Sequence, residues 1–148
     1  MKHAFLIFAL FLAATIVLPA QEYKVVTTVE SVVPMGLGRS RIIETTDSLN
    51  VEEFTTKRVD GRKSRQNEVS RSDAKTDNMK ETKLLNFYSA VGINFQNIAS
   101  NDAMITSKIN KLVKAGWELK FVLSGVESDA GKGDGTGIFI TRYIFYRE

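Results

Sequence analysis

The sequence predicts an α+β domain: an antiparallel-rich sheet of about three to five strands with one main helix packed on one face. Three observations carry this prediction. Asn101–Ala115 repeats apolar residues at helical spacing and stops at Gly116. Trp117 follows at once with period-two alternation, and the closing stretch Thr136–Arg147 is apolar on both of its sides. Glu22–Val33 is dominated by β-branched residues, which suit a pleated surface.

Before that body comes an address label. Met1, Lys2 and His3 form a basic start, and the apolar run Ala4–Leu18 is shorter than the roughly 20 residues a membrane helix needs. Pro19-Ala20 ahead of polar Gln21-Glu22 reads as the end of a secretory signal peptide, although Leu18 at the −3 position is larger than the small residue preferred there. No cysteine is present, which rules out a lipoprotein anchor. The expected organisation is a signal peptide over 1–20 and a single α+β domain over 21–148. Such a protein is exported, periplasmic or secreted, with no membrane span once the signal is removed.

Losing the leader also removes the only histidine, His3. The remaining chain then has neither imidazole nor thiol. Ser-His-Asp and Cys-His nucleophile systems, His/Cys zinc sites and haem ligation by either residue are excluded. So are disulfides, leaving the core alone to hold the domain. No cofactor is expected. The formal net charge is +3, of which Lys2 leaves with the leader. So small an excess gives no argument for a nucleic-acid partner.

In chain order, Glu22–Val33 places Tyr23, Val25, Thr27, Val29, Ser31 and Val33 on one face of a strand. Pro34–Gly38 is a turn, and Arg39–Thr46 a second strand carrying Ile42 and Ile43. From about 47 to 83 the apolar residues thin to Leu49, Val51, Phe54, Val59, Val69 and Met79 among charges of both signs. This stretch reads as a polar, exposed, partly mobile insertion, because long structureless connections are uncommon inside compact domains. Asp60-Gly61 is a turn signal without alternating flanks. Apolar character returns at Leu84–Tyr88, and the segment through Gly92–Phe95 is expected to cover the sheet face that the helix leaves open.

Within the helix, Ile105, Ile109, Leu112, Val113 and Gly116 fall on one stripe, opposite Ser107, Asn110, Lys111 and Lys114. Ser100 is the expected N-cap, Asp102 suits the first turn and Lys108, Lys111 and Lys114 suit the C-terminal end. Gly116 is placed to end the helix in a left-handed conformation. Trp117, Leu119, Phe121 and Leu123 then alternate with Glu118, Lys120, Val122 and Ser124, the period of a half-buried strand, and are expected to share its buried face. The closing strand sets Ile138, Ile140, Ile144 and Tyr146 against Phe139, Tyr143 and Phe145. It should be central, between the first strand and the Trp117 strand, with Arg142 paired or snorkelling.

Candidate chemistry is confined to the Gly-rich stretch Asp129–Gly135. A phosphate cradle there would feed a helix, but a strand follows, and Glu127, Asp129 and Asp134 would repel an anion. The same three acids are the candidate calcium ligands, without EF-hand spacing or a bidentate glutamate. Glu127 with Asp129 or Asp134 is also the candidate acid/base pair of a glycosidase. A plain hairpin loop accounts for them better than either reading. Trp117 as a sugar platform and the helix lysines as an anion site yield in the same way to a core aromatic and a solvated face.

Tyr23-Lys24-Val25-Val26 and Leu112-x-x-x-Gly116-Trp117-Glu118-Leu119 resemble a family of small bacterial domains of unknown function. These join an opening YKVV strand to a helix, a G-W-E-L strand and a last strand with a basic or aromatic finish, here Arg142-Tyr143-Ile144-Phe145. The resemblance covers roughly 22–33 and 100–147. The long 47–95 stretch, the export signal and the extended Gly-rich hairpin depart from the short members and look more like exported proteins of Bacteroidota type. The resemblance implies packing and no activity. The functional expectation is a non-catalytic exported binding or structural module, with an envelope protein or glycan as partner. The alternative is a carboxylate-dependent hydrolase acting on envelope glycan.

Overall fold

Eight elements follow from these patterns in a computed structural model that describes residues 21–31, 40–89, 91–126 and 137–148. They are β1 (Glu22–Ser31), β2 (Arg41–Thr45), β3 (Met79–Lys83), β4 (Tyr88–Ser89), β5 (Gly92–Ile93), α1 (Phe95–Lys114), β6 (Glu118–Val126) and β7 (Ile138–Arg147). The expected signal peptide, the Pro34–Gly38 turn and the Gly-rich loop lie outside the described residues.

The main sheet has five strands in the order β3-β2-β1-β7-β6, every neighbour antiparallel, with α1 packed on one face. The fold is α+β, as the sequence predicts. β7 is central and pairs along its full length with β1, from Arg147 opposite Glu22 to Ile138 opposite Ser31. β1 and β6 flank it and are therefore parallel to each other, joined through α1.

The helix starts at Phe95 rather than Asn101. Asn94, not Ser100, is the N-cap, and its side chain accepts from the Asn97 N–H at 3.1 Å. The expected stop holds in detail. Gly116 has φ +85°, Trp117 N–H donates to Leu112 O at 3.1 Å and Gly116 N–H to Val113 O at 3.0 Å. That pair of bonds satisfies two carbonyls of the last turn, and Leu112 meets Trp117 in the core beside them. Val26, Ile42, Leu84 and Phe145 complete the buried cluster, with Met104, Ile105, Ile109, Leu119 and Tyr143 packed against it. The Trp117 ring is also faced by Lys24 Nζ at 5.3 Å and Arg147 Cζ at 4.4 Å.

Two expectations need correction. The 84–95 segment lies on the helix side of the sheet, not over its open face. Leu84 enters the helix-side core, and the fully buried Asn101 clamps Leu85, accepting from its N–H at 2.8 Å and donating to its carbonyl at 2.7 Å. Asn97 Nδ2 reaches Asn86 O at 2.8 Å, and the Phe87 ring sits 5.9 Å from Phe139. Buried asparagines thus place a segment whose apolar residues alone suited either face.

The polar stretch is likewise not all insertion. Its end, Met79–Lys83, is the edge strand β3, paired from Met79–Thr45 to Lys83–Arg41. All five residues are exposed, so no alternation marks them as a strand. Asp47 closes the base of the intervening loop by accepting from Thr76 Oγ1 at 2.7 Å and from the Asp77 and Asn78 N–H groups at 3.1 and 2.9 Å. Between them the loop holds two short 3-10 turns, Val51–Phe54 and Gln66–Glu68, with no buried residue in either. Asp60 and Gly61 form a tight turn with φ +53° and +66°, closed by Arg62 N–H to Val59 O at 3.1 Å, without strands beside it.

Candidate interaction surface

A strand that is apolar on both sides needs two covers, and the described residues give β7 one. Opposite residues of an antiparallel pair point to the same side, so the register assigns the faces. Val26, Thr28, Ile42, Tyr143 and Phe145 face α1. The other face carries Tyr23, Val25 and Val29 of β1, Ile43 of β2 and Ile138, Ile140, Ile144 and Tyr146 of β7, with Thr27, Ser31, Arg41 and Arg142 among them. No described helix or strand lies over that face, and Tyr23 remains 62 % exposed.

Alternation alone predicts that Trp117, Leu119, Phe121 and Leu123 are buried together. A β-bulge between Leu119 and Phe121 overturns this for the last two. Leu119 opposes Phe145 on the helix side, whereas Phe121 opposes Ile144 and Leu123 opposes Arg142 on the open side. An inserted residue in a strand changes which side every later residue faces. Trp117 is buried as expected, but Phe121 and Leu123 are each 58 % exposed. The extra residue is Lys120, whose ammonium lies 5.1 Å from the Tyr146 ring and 2.8 Å from Glu118 Oε2. The Tyr23 and Tyr146 rings meet beside them at 5.3 Å between centroids, tilted by 57°. Arg142, exposed among these apolar residues, has no ion-pair partner among the described residues.

The polar clusters on the helix side are structural in their geometry. The Glu44 carboxylate accepts from Lys24 at 3.1 Å and from Lys108, between β2, β1 and α1. Burial alone would raise its pKa, but the hydrogen bonds and charges of Lys108 and Lys24 hold it below the usual carboxylate range. Glu30 is pushed above that range by burial, partly offset by the Asn101 amide at 3.1 Å. Glu44 thus has a cation on each carboxylate oxygen, and Glu30 accepts from one amide. The gap beside them, lined by Ile105, Lys108, Ile109 and Tyr143, measures about 10 Å³, no more than one water.

Among the described residues no three His, Cys, Asp or Glu side chains converge as metal ligands. Glu127, Asp129 and Asp134 lie outside the described residues, so the structure neither brings them together nor separates them. No described helix is long and apolar enough to cross a membrane. No protein-family model, curated protein or solved structure matches the chain, so its function is argued from geometry.

The feature sequence reasoning missed is therefore an apolar surface: the open face together with the outer edge of β6. A signal for it was present. Phe121, Val122 and Leu123 are consecutive apolar residues, which a one-sided strand does not need.

Proposed function

We propose that the protein is a non-catalytic exported module that binds another macromolecule of the cell envelope through the open sheet face and the β6 edge. One observation carries this reading: a mainly apolar face, crossed by Arg142, beside a strand edge with no described partner, of the kind that marks interaction sites. The absence of cysteine throughout, and of histidine after residue 3, is consistent with it. The leader Met1–Ala20 supports the export part of the proposal. The hydrolase alternative rests on Glu127, Asp129 and Asp134 and gains no support from the described geometry.

The test is thermal-shift screening of the exported protein against envelope proteins, glycans and divalent metals, with Phe121→Lys alongside. A stabilising envelope partner lost on that substitution is the expected result. Turnover of envelope glycan that disappears in Glu127→Gln or Asp134→Asn would replace this reading with the hydrolase.

A further inference from the structure

We propose that the open edge of β6 pairs with β6 of a second copy of this chain, antiparallel about a twofold axis through Leu123. This rests on the binding-surface reading above and names one occupant of that surface.

The two edges of the sheet are built differently. β3, at one edge, reads Met-Lys-Glu-Thr-Lys, and such charges deter pairing with a further strand. β6, at the other, is nine residues long. Lys120 and the bulge guard only its first part. From Phe121 to Val126 it carries no charge, and Phe121, Val122, Leu123 and Val126 are all exposed. Each residue pointing its N–H and C=O outward from this edge lacks a described strand partner.

Gly125 is the second observation. Glycine weakens a strand interior and is kept there for a bulge, a special backbone conformation or a close approach. The bulge is elsewhere, and Gly125 is not among the positive-φ residues. A Cβ built on it would meet nothing within 4 Å. Nothing described within one copy calls for a glycine. Pairing about Leu123 does. It sets Phe121 opposite Gly125 of the partner subunit, twice, so that each ring covers the gap above a glycine, an arrangement known to strengthen strand pairs. Leu123 meets its own copy at the axis, and Val122 lies opposite Ser124 of the partner subunit on the helix side. Lys120 falls opposite Val126 of the partner subunit, so no like charges face each other.

A twofold normal to the sheet keeps both open faces on the same side, joining two five-stranded sheets into one. An arbitrary peptide strand would not require β6 to complement itself. A contact of one strand edge is smaller than the ~800 Å² per partner of a standard interface, so the association is expected to depend on concentration.

Because the chain has no cysteine, one introduced thiol reports the register. In Leu123→Cys the two Cα atoms would stand ~5 Å apart, within disulfide reach. In Phe121→Cys they would be four positions apart, ~13 Å, and out of reach. Under mild oxidation Leu123→Cys should crosslink at least about tenfold faster than Phe121→Cys. Sedimentation of the exported protein should show a dimer that Leu123→Lys converts to monomer with unchanged circular dichroism. Equal crosslinking of the two cysteine variants, or a wild-type protein that stays monomeric at high concentration, would overturn the proposal. If that monomer still binds an envelope partner and Phe121→Lys abolishes the binding, the surface stands and only the second copy falls.

Discussion

The two sides of β7 are nearly equal in apolar content and differ in what covers them: only Phe145, on the helix side, is fully buried, and Ile138, Ile140, Ile144 and Tyr146 opposite are half-buried. Phe145 is completely buried and belongs to the cluster of Val26, Leu112 and Trp117. Ile144, one residue earlier, lies opposite Val25 and Phe121 across the strands, with no described helix or strand above it. The difference teaches that apolar residues on both faces mark a strand as central, as β7 is. They do not say which face is core. That is decided by where α1 lands, and α1 lands where Gly116 turns the chain directly into Trp117.

Substitutions should therefore divide by face. The largest effect is expected from Trp117→Ala on the covered side. Truncating a buried large aromatic costs about 3–5 kcal/mol, out of the ~5–15 kcal/mol that holds a typical domain. Urea denaturation reads this directly, and a cost of a few tenths would place Trp117 outside the core.

Next comes Glu44→Gln, which removes the carboxylate that Lys24 and Lys108 share and should cost about 1.5–3 kcal/mol, typical of hydrogen bonds to charged groups. The pH dependence gives the sign. The Glu44 pKa is lowered on folding, so its contribution is present above the usual carboxylate value and is lost as pH falls through its folded value. Glu30 is raised, so its contribution is complete below the usual value and is lost as pH rises through its folded value. Glu44→Gln should flatten the acid limb of a stability–pH curve, and Glu30→Gln the limb just above the ordinary carboxylate range.

A smaller effect is expected from the loop between β2 and β3. Asp47 and Asn78 close its base, so a Gly/Ser bridge replacing Ser48–Lys75 should keep a cooperative thermal transition. Closure entropy changes by under about 2 kcal/mol for such a shortening. Trypsin should cut first between Lys57 and Lys75, where the cations are exposed. Loss of folding in the bridged protein would make the loop part of the core. A replacement reaching into Met79–Lys83 should do more harm, because it removes a strand.

These particulars show what the sequence made legible. Regular, short-range signals carried through: the stripe Ile105–Leu112, the Gly116 stop, the buried Trp117 and the place of β7. Three features were hidden for separate physical reasons. The bulge at Lys120 is a change in hydrogen-bond register that side-chain alternation does not announce, and it alone moves Phe121 and Leu123 to the open face. β3 is an exposed edge strand held by its backbone, so its side chains carry no period. Asn94, Asn97 and Asn101 start the helix and anchor 84–95 through amide hydrogen bonds, and apolar counting passes over them. Of the candidate site, Glu127, Asp129 and Asp134 were legible only as acids on a loop, whereas the apolar surface was written in Phe121-Val122-Leu123.

The central claim is that Phe121 and the face around it serve recognition and contribute little to the core. Equilibrium urea unfolding of Phe121→Lys, in solution dilute enough to keep the chain monomeric, tests it most directly. The account predicts a stability within about 0.5 kcal/mol of the wild type, as for a surface substitution. A loss approaching the ~3 kcal/mol of a truncated core aromatic would mean that the folded monomer covers this face itself, and would contradict the account.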